Sequence, residues 1–219
     1  MPTIALIGDS HAQALWPRIK QTISQQGYTV VLSEANAGWS EDSYRTKKSS
    51  LPASLAAVKP DVVLIGLGGN AHPSKGEAAY REDVAWIVDA ARASGAKRII
   101  WFGPATSIAS IDPDTADRHE KIANMQAYLL PAMGVEWYDS RPITTTDQRS
   151  DGVHFNTAGY DRWAAWMVER LLSPPKFEVS LSGLSGAAPG SIPKAAIIAG
   201  TVAVSALLVV LTLRLRGRL

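Results

Sequence analysis

The chain has 219 residues, 46% of them hydrophobic and 19% charged, and it has no cysteine. Disulfides, thiolate nucleophiles and zinc–thiolate centres are therefore excluded. The formal charge of +2 is unevenly placed, with 17 Lys/Arg against 19 Asp/Glu in residues 1–174 and five against one beyond them, so the folded part offers no basic surface for nucleic acid.

In chain order, Ile4-Ala5-Leu6-Ile7 forms the centre of a strand predicted over Thr3–Ile7. It reads as the first strand rather than a leader, because no basic n-region precedes it. Gly8-Asp9-Ser10-His11 ends that run, and a helix follows over Ala12–Gln26, stopped by Gly27. A strand over Tyr28–Leu32 leads to Asn36-Ala37-Gly38-Trp39. The polar segment 37–50 reads as a loop whose Trp39 and Tyr44 are available to stack on a sugar ring. A helix over Leu51–Val58 breaks at Lys59-Pro60-Asp61, and a strand over Val62–Leu67 runs into Gly68-Gly69-Asn70. His72 follows two residues on and is placed to line a pocket. A helix over Glu77–Ser94 stops at Gly95, and a strand follows over Arg98–Phe102. Next come a helix over Ala116–Met133, with His119 on its polar, solvent-facing side, and a strand over Val135–Tyr138. Asp151-Gly152-Val153-His154 then precedes a helix over Thr157–Leu172, capped by Asn156 or Thr157, with Trp163, Trp166, Met167 and Leu171 recurring on its core face.

Near-continuous Val/Ile/Leu runs suit strands covered on both faces, and their alternation with helices gives an α/β fold. The expected architecture is a three-layer αβα sandwich around a flavodoxin-like, five-stranded parallel sheet in the order 2-1-3-4-5. Residues 1–173 form this domain. Residues 174–193 are a linker rich in Pro, Gly and Ser. Residues 195–213 are uncharged and bracketed by Lys194 and Arg214. Such a run spans about 28 Å as a helix, close to the ~30 Å core of a bilayer. A single transmembrane helix is thus expected over residues 194–213, followed by a basic tail over 214–219. Arg214, Arg216 and Arg218 favour a cytoplasmic C-terminus, whereas a terminal span without a leader keeps the domain in the cytoplasm, so the side is left open.

Loops after parallel strands gather at one sheet edge. Ser10, Gly38, Asn70 and the Asp151/His154 pair all fall on such loops. A serine hydroxyl needs a base to attack an ester. His154 can take the proton and return it to the leaving alcohol, and Asp151 can fix the imidazole's tautomer. Backbone N–H groups of Ser10 and Gly38, with the Asn70 amide, are candidate donors to an oxyanion. Asp9 is placed to orient the nucleophile loop, and His11 to pack beneath it. Gly66-x-Gly68-x-x-Ala71 imitates a dinucleotide fingerprint, but His72-Pro73-Ser74 intervenes before any helix. There is no Gly-x-Ser-x-Gly elbow and no convincing metal-ligand spacing. No cofactor and no metal are called for.

Ser10, Gly38, Asn70 and His154 stand in the order and settings of the four blocks of the SGNH, or GDSL-type, hydrolases. The chain resembles this family over roughly residues 1–172. Its first block reads GDSHAQAL, similar to members acting on carbohydrate acyl groups, and its last reads DGVHFNTAGY. Where the family often has Asp after the block asparagine, this chain has Ala71. The resemblance implies a serine esterase with catalytic Ser10, Asp151 and His154 and an oxyanion hole of Ser10, Gly38 and Asn70. It implies small acyl esters as substrates, with an O-acetylated glycan or cell-wall polymer preferred. The same acyl-serine serves an acyltransferase equally well. A structural or adhesive envelope or virion module of the same fold is the non-catalytic alternative.

Overall fold

The computed structural model describes residues 1–175. Five strands, β1 (Thr3–Gly8), β2 (Thr29–Ala35), β3 (Val62–Gly66), β4 (Arg98–Phe102) and β5 (Glu136–Tyr138), form one sheet in the order β2-β1-β3-β4-β5, with every pairing parallel. Six α-helices connect or flank them: α1 (Ser10–Gln25), α2 (Glu41–Lys47), α3 (Leu51–Val58), α4 (Glu77–Ala93), α5 (Pro113–Ala132) and α6 (Thr157–Leu172). Short 3₁₀ turns occupy Pro73–Lys75 and Arg141–Ile143.

Period-two alternation divides the strand side chains between two cores. Ala5, Ile7, Val63, Ile65 and Trp101 face α2, α3, α4 and α5, whereas Ile4, Leu6, Leu64, Ile100 and Phe102 face α1 and α6. Both faces are covered, which is why the central strands read as unbroken apolar runs. The edge strand β2 is mostly half-buried. It continues through Ser33-Glu34-Ala35, beyond the expected Leu32, because pairing with Leu6–Gly8 rather than hydropathy holds this end.

The α1–sheet contact is unusually close. An ideal Cβ on Gly8 would lie 2.1 Å from the Ala12 Cβ, and one on Gly66 would lie 3.1 Å from the Trp16 ring. Paired glycines at the ends of β1 and β3 therefore let α1 start immediately after β1 and press Trp16 over them. At the opposite end of the sheet, buried Arg98 forks onto Glu136 at 2.6 and 2.9 Å and also donates to the carbonyls of Arg170 and Leu171, tying β4 and β5 to the end of α6.

Two expectations change. The segment expected as an open loop contains α2, whose N-cap Ser40 accepts the Ser43 N–H. Tyr44 is wholly buried there, its hydroxyl donating to the Gly8 carbonyl at 2.7 Å, so it cannot stack on a ligand. The span predicted over residues 194–213, the basic tail and all but residues 174–175 of the linker lie outside the described residues. Among the described residues no helix is long and apolar enough to cross a membrane.

Candidate active site

The site forms at the C-terminal edge of the sheet. Ser10 is the first residue of α1, and Asp9 is the N-cap, its carboxylate accepting the His11 N–H at 3.0 Å. The strand fixes where Ser10 begins and the cap fixes how the helix starts, so the hydroxyl is held by backbone on both sides. Asp9 is buried, and desolvation pushes its pKa up to about 6 against the N–H groups of His11 and Ala12 that lower it.

Asp151 and His154 arrive on the loop before α6. His154 Nε2 lies 3.2 Å from the Ser10 Oγ, and its Nδ1 lies 3.0 Å from Asp151 Oδ2. The other Asp151 oxygen accepts the N–H groups of Val153 and His154, both at 2.9 Å. One carboxylate thus shapes the loop and orients the ring. Partial burial raises its pKa, but the two backbone donors and the imidazole outweigh that and hold it down to about 2. It remains ionised throughout the neutral range and favours a proton on Nδ1, leaving Nε2 as the acceptor facing Ser10.

Gly38 and Asn70 border the same opening. Together with Ser10, His154, Arg149 and Tyr160 they line a broad groove of about 630 Å³. Gly38 has a φ of 75°, a left-handed conformation that disfavours a side chain. Neither its N–H nor that of Ser10 meets a protein acceptor among the described residues. Asn70 Nδ2 donates to the Trp39 carbonyl at 3.2 Å, which joins the β3 loop to the Gly38 turn. An amide nitrogen carries two hydrogens, so a second donor remains. A smaller recess of about 230 Å³ adjoins Ser10, Asn70 and His154 and is walled by Asp112, Thr115 and Arg118 of the α5 start.

The remaining histidines divide. His11 is buried, packs against the His154 ring at a centroid distance of 5.1 Å and meets the Tyr160 hydroxyl at 3.2 Å. Burial, with His154 and His119 nearby, lowers its pKa to about 3, so it stays neutral. His72 lines a separate pocket with Glu41 and Lys75, and Ser10 is not among the residues of that pocket. His119 corrects the expectation of a solvated residue: it is only 2% exposed. Its Nδ1 faces the Ala105 carbonyl and Ser107 hydroxyl at 2.8 and 2.9 Å, and its Nε2 faces the Gly69 carbonyl at 3.0 Å. Desolvation lowers its pKa, opposed by those two carbonyls. It braces the loop that carries Asn70. The neighbouring sequence is polar, so helical periodicity alone did not mark this position as inward-facing.

The chain matches the model of the GDSL-like lipase/acylhydrolase family over residues 6–162. No curated protein matches it by sequence. Its fold is similar to that of the lipase/acylhydrolase from Enterococcus faecalis, at 21% identity and a TM-score of 0.64, over 81% of this chain and 100% of the other. It is also similar to the aryl esterase of M. smegmatis, at 18% and 0.64 over 78% of this chain and 98% of the other. A carbohydrate acetylesterase from Sinorhizobium meliloti aligns at 16% and 0.62, again over 78% and 98%.

Proposed function

This chain belongs to the GDSL-like lipase/acylhydrolase family, and we propose that it is an esterase that removes small acyl groups, acetyl above all, from a glycan or cell-wall polymer through an acyl-serine at Ser10. The observation that carries this reading is the unbroken line from Ser10 through His154 to Asp151, at 3.2 and 3.0 Å, at the sheet edge.

In this reading the Ser10 Oγ attacks the ester carbonyl carbon as its proton passes to His154 Nε2. The oxygen that becomes negative faces the N–H groups of Ser10 and Gly38 and the free hydrogen of the Asn70 amide. Each preorganised donor contributes about 3 kcal/mol to lowering the barrier. Collapse breaks the bond to the alcohol, which leaves with the proton held by His154. Water then repeats the sequence, releasing the carboxylic acid and restoring Ser10. Asp151 stays ionised and stabilises the imidazolium between the two proton transfers.

The openings beside Ser10 support a small acyl group on a polar alcohol. The recess is walled by Asp112, Thr115 and Arg118, and the groove runs past Gln13 and Arg149, with no long apolar channel for a fatty chain among the described residues. The Sinorhizobium meliloti structure bears the name of a carbohydrate acetylesterase, which favours the same class. The test is acetate release from acetylated polysaccharides and from 4-nitrophenyl acetate. The wild type releases acetate from both, and Ser10→Ala releases it from neither while unfolding at an unchanged temperature. Turnover of nitrophenyl esters with no release from any acetylated glycan would remove the substrate assignment.

The reading includes attachment to a bilayer through residues 194–213, an uncharged run between basic residues. It leaves open which side of the membrane the domain faces.

A further inference from the structure

Ten arginines lie among the described residues. Eight pair with an Asp or Glu at 2.5–3.5 Å. The two that form no salt bridge among the described residues are Arg118, whose charge is felt by Asp112 without an ion pair, and Arg149, and both share an opening with Ser10, one in the recess and one in the groove.

Arg118 stands near the start of α5. One terminal nitrogen donates to the Thr115 hydroxyl at 3.0 Å, but its Nε is buried with no partner. A guanidinium has five N–H donors in a planar fork, and a buried donor left unmatched is costly until an acceptor arrives. Neither carboxylate in the recess supplies that acceptor. Asp112 caps α5 by accepting the Thr115 N–H at 2.9 Å, and Asp151 holds its own loop and His154. His119, also in the recess, is engaged with backbone carbonyls.

We propose that this cleft selects an anionic saccharide, with Arg118 forking onto a carboxylate of the sugar that bears the acyl ester and Arg149 meeting a second charge farther along the chain. A small anionic acyl group would fill one of the two openings and reach one cation only. A polymer with recurring acidic residues presents charge to both openings, each of which holds one of the two arginines. This inference rests on the acyl-glycan reading and narrows it to acidic glycans, for which paired N–H···O bonds from arginine give both affinity and orientation.

The test measures inhibition of 4-nitrophenyl acetate hydrolysis by oligogalacturonate and by a neutral xylo-oligosaccharide of matched length. At low ionic strength the acidic oligomer should inhibit at a concentration lower by about tenfold or more, the size of one charge-assisted contact. The gap should close in about 1 M salt, where screening acts within ~3 Å. Arg118→Ala should abolish most of the preference, Arg118→Lys should recover part of it, and unfolding temperatures should confirm that both variants are folded. Equal inhibition by the two saccharides, or a preference that survives in the Arg118→Ala/Arg149→Ala double variant, overturns the inference. So does a preference for 4-nitrophenyl hemisuccinate over the acetate that vanishes with Arg118, since that moves the charge to the acyl side. Selective inhibition without hydrolysis of any acetylated glycan leaves the anion site standing and sinks the substrate reading instead.

Discussion

At the scale of single residues, Asp151 does two separable things, and a substitution can divide them. Asp151→Asn keeps an oxygen for the Val153 and His154 N–H groups but turns an N–H toward the imidazole, forcing the wrong tautomer. Turnover should fall by about ten-thousandfold while the unfolding temperature barely moves. His154→Ala should cost more, because among the described residues the Ser10 hydroxyl meets no other base. Steady-state kinetics on one nitrophenyl ester compares the two, and near-normal turnover in either variant contradicts the role of that residue. Both were legible in the sequence, as was Ser10, because each stands at the end of an element beside a glycine or aspartate that punctuates it. Arg118 and His119 were not, since a polar helix face and a cleft wall have the same composition. Only the fold brings the start of α5 against the loop after β3.

At the scale of elements, the junction of β1 and α1 is the tightest part of the frame. Gly8→Ala would drive a methyl group against Ala12, the Gly66 carbonyl and Trp16. It should destabilise the domain by about 2–3 kcal/mol, read as a lower urea midpoint at an unchanged slope. α2 carries a different liability. Glu41 is 1% exposed and accepts the Tyr80 hydroxyl at 2.9 Å, while its other oxygen has no partner. Desolvation, only partly offset by its own backbone N–H and by Tyr80, pushes its pKa from 4.5 up to about 7. A raised acid keeps its proton in the folded state and loses it in the unfolded one. The stabilisation is therefore complete below pH 4.5 and is lost as pH rises through about 7. It amounts to something on the order of 3 kcal/mol, and Asp9, raised from 3.8 to about 6, acts in the same direction. Glu41→Gln should flatten the fall in unfolding temperature between these pH values and raise it by several degrees at pH 8; an unchanged profile contradicts a buried neutral Glu41. The strands and the other five helices were readable from apolar runs and caps. α2 was missed because its seven residues present almost no hydrophobic stripe, although Ser40 before Glu41-Asp42, with Arg45 and Lys47 in the last turn, spells a capped helix.

At the scale of the whole molecule, the domain and the tail make independent predictions. A chain ending at Ser173 retains every described element and should be soluble with undiminished turnover. The full chain should stay with membranes through an alkaline carbonate wash; its release would remove the proposed span. The order of the sheet and the gathering of Ser10, Gly38, Asn70 and His154 at one edge followed from alternation and strand ends, because parallel connectivity leaves few arrangements. The anion-selecting wall of the cleft did not, since it depends on which arginines the fold leaves unpaired. The central claim is that Ser10, activated by His154, is the nucleophile, and it is tested most directly by mass spectrometry after exposure to a serine-reactive phosphonate. The chain has 20 serines, so selectivity is itself informative. One adduct per chain, mapped to Ser10, formed only in the native protein and suppressed by His154→Ala, is the predicted result. Adducts spread over several serines, or undiminished labelling of the Ser10→Ala variant, would contradict it.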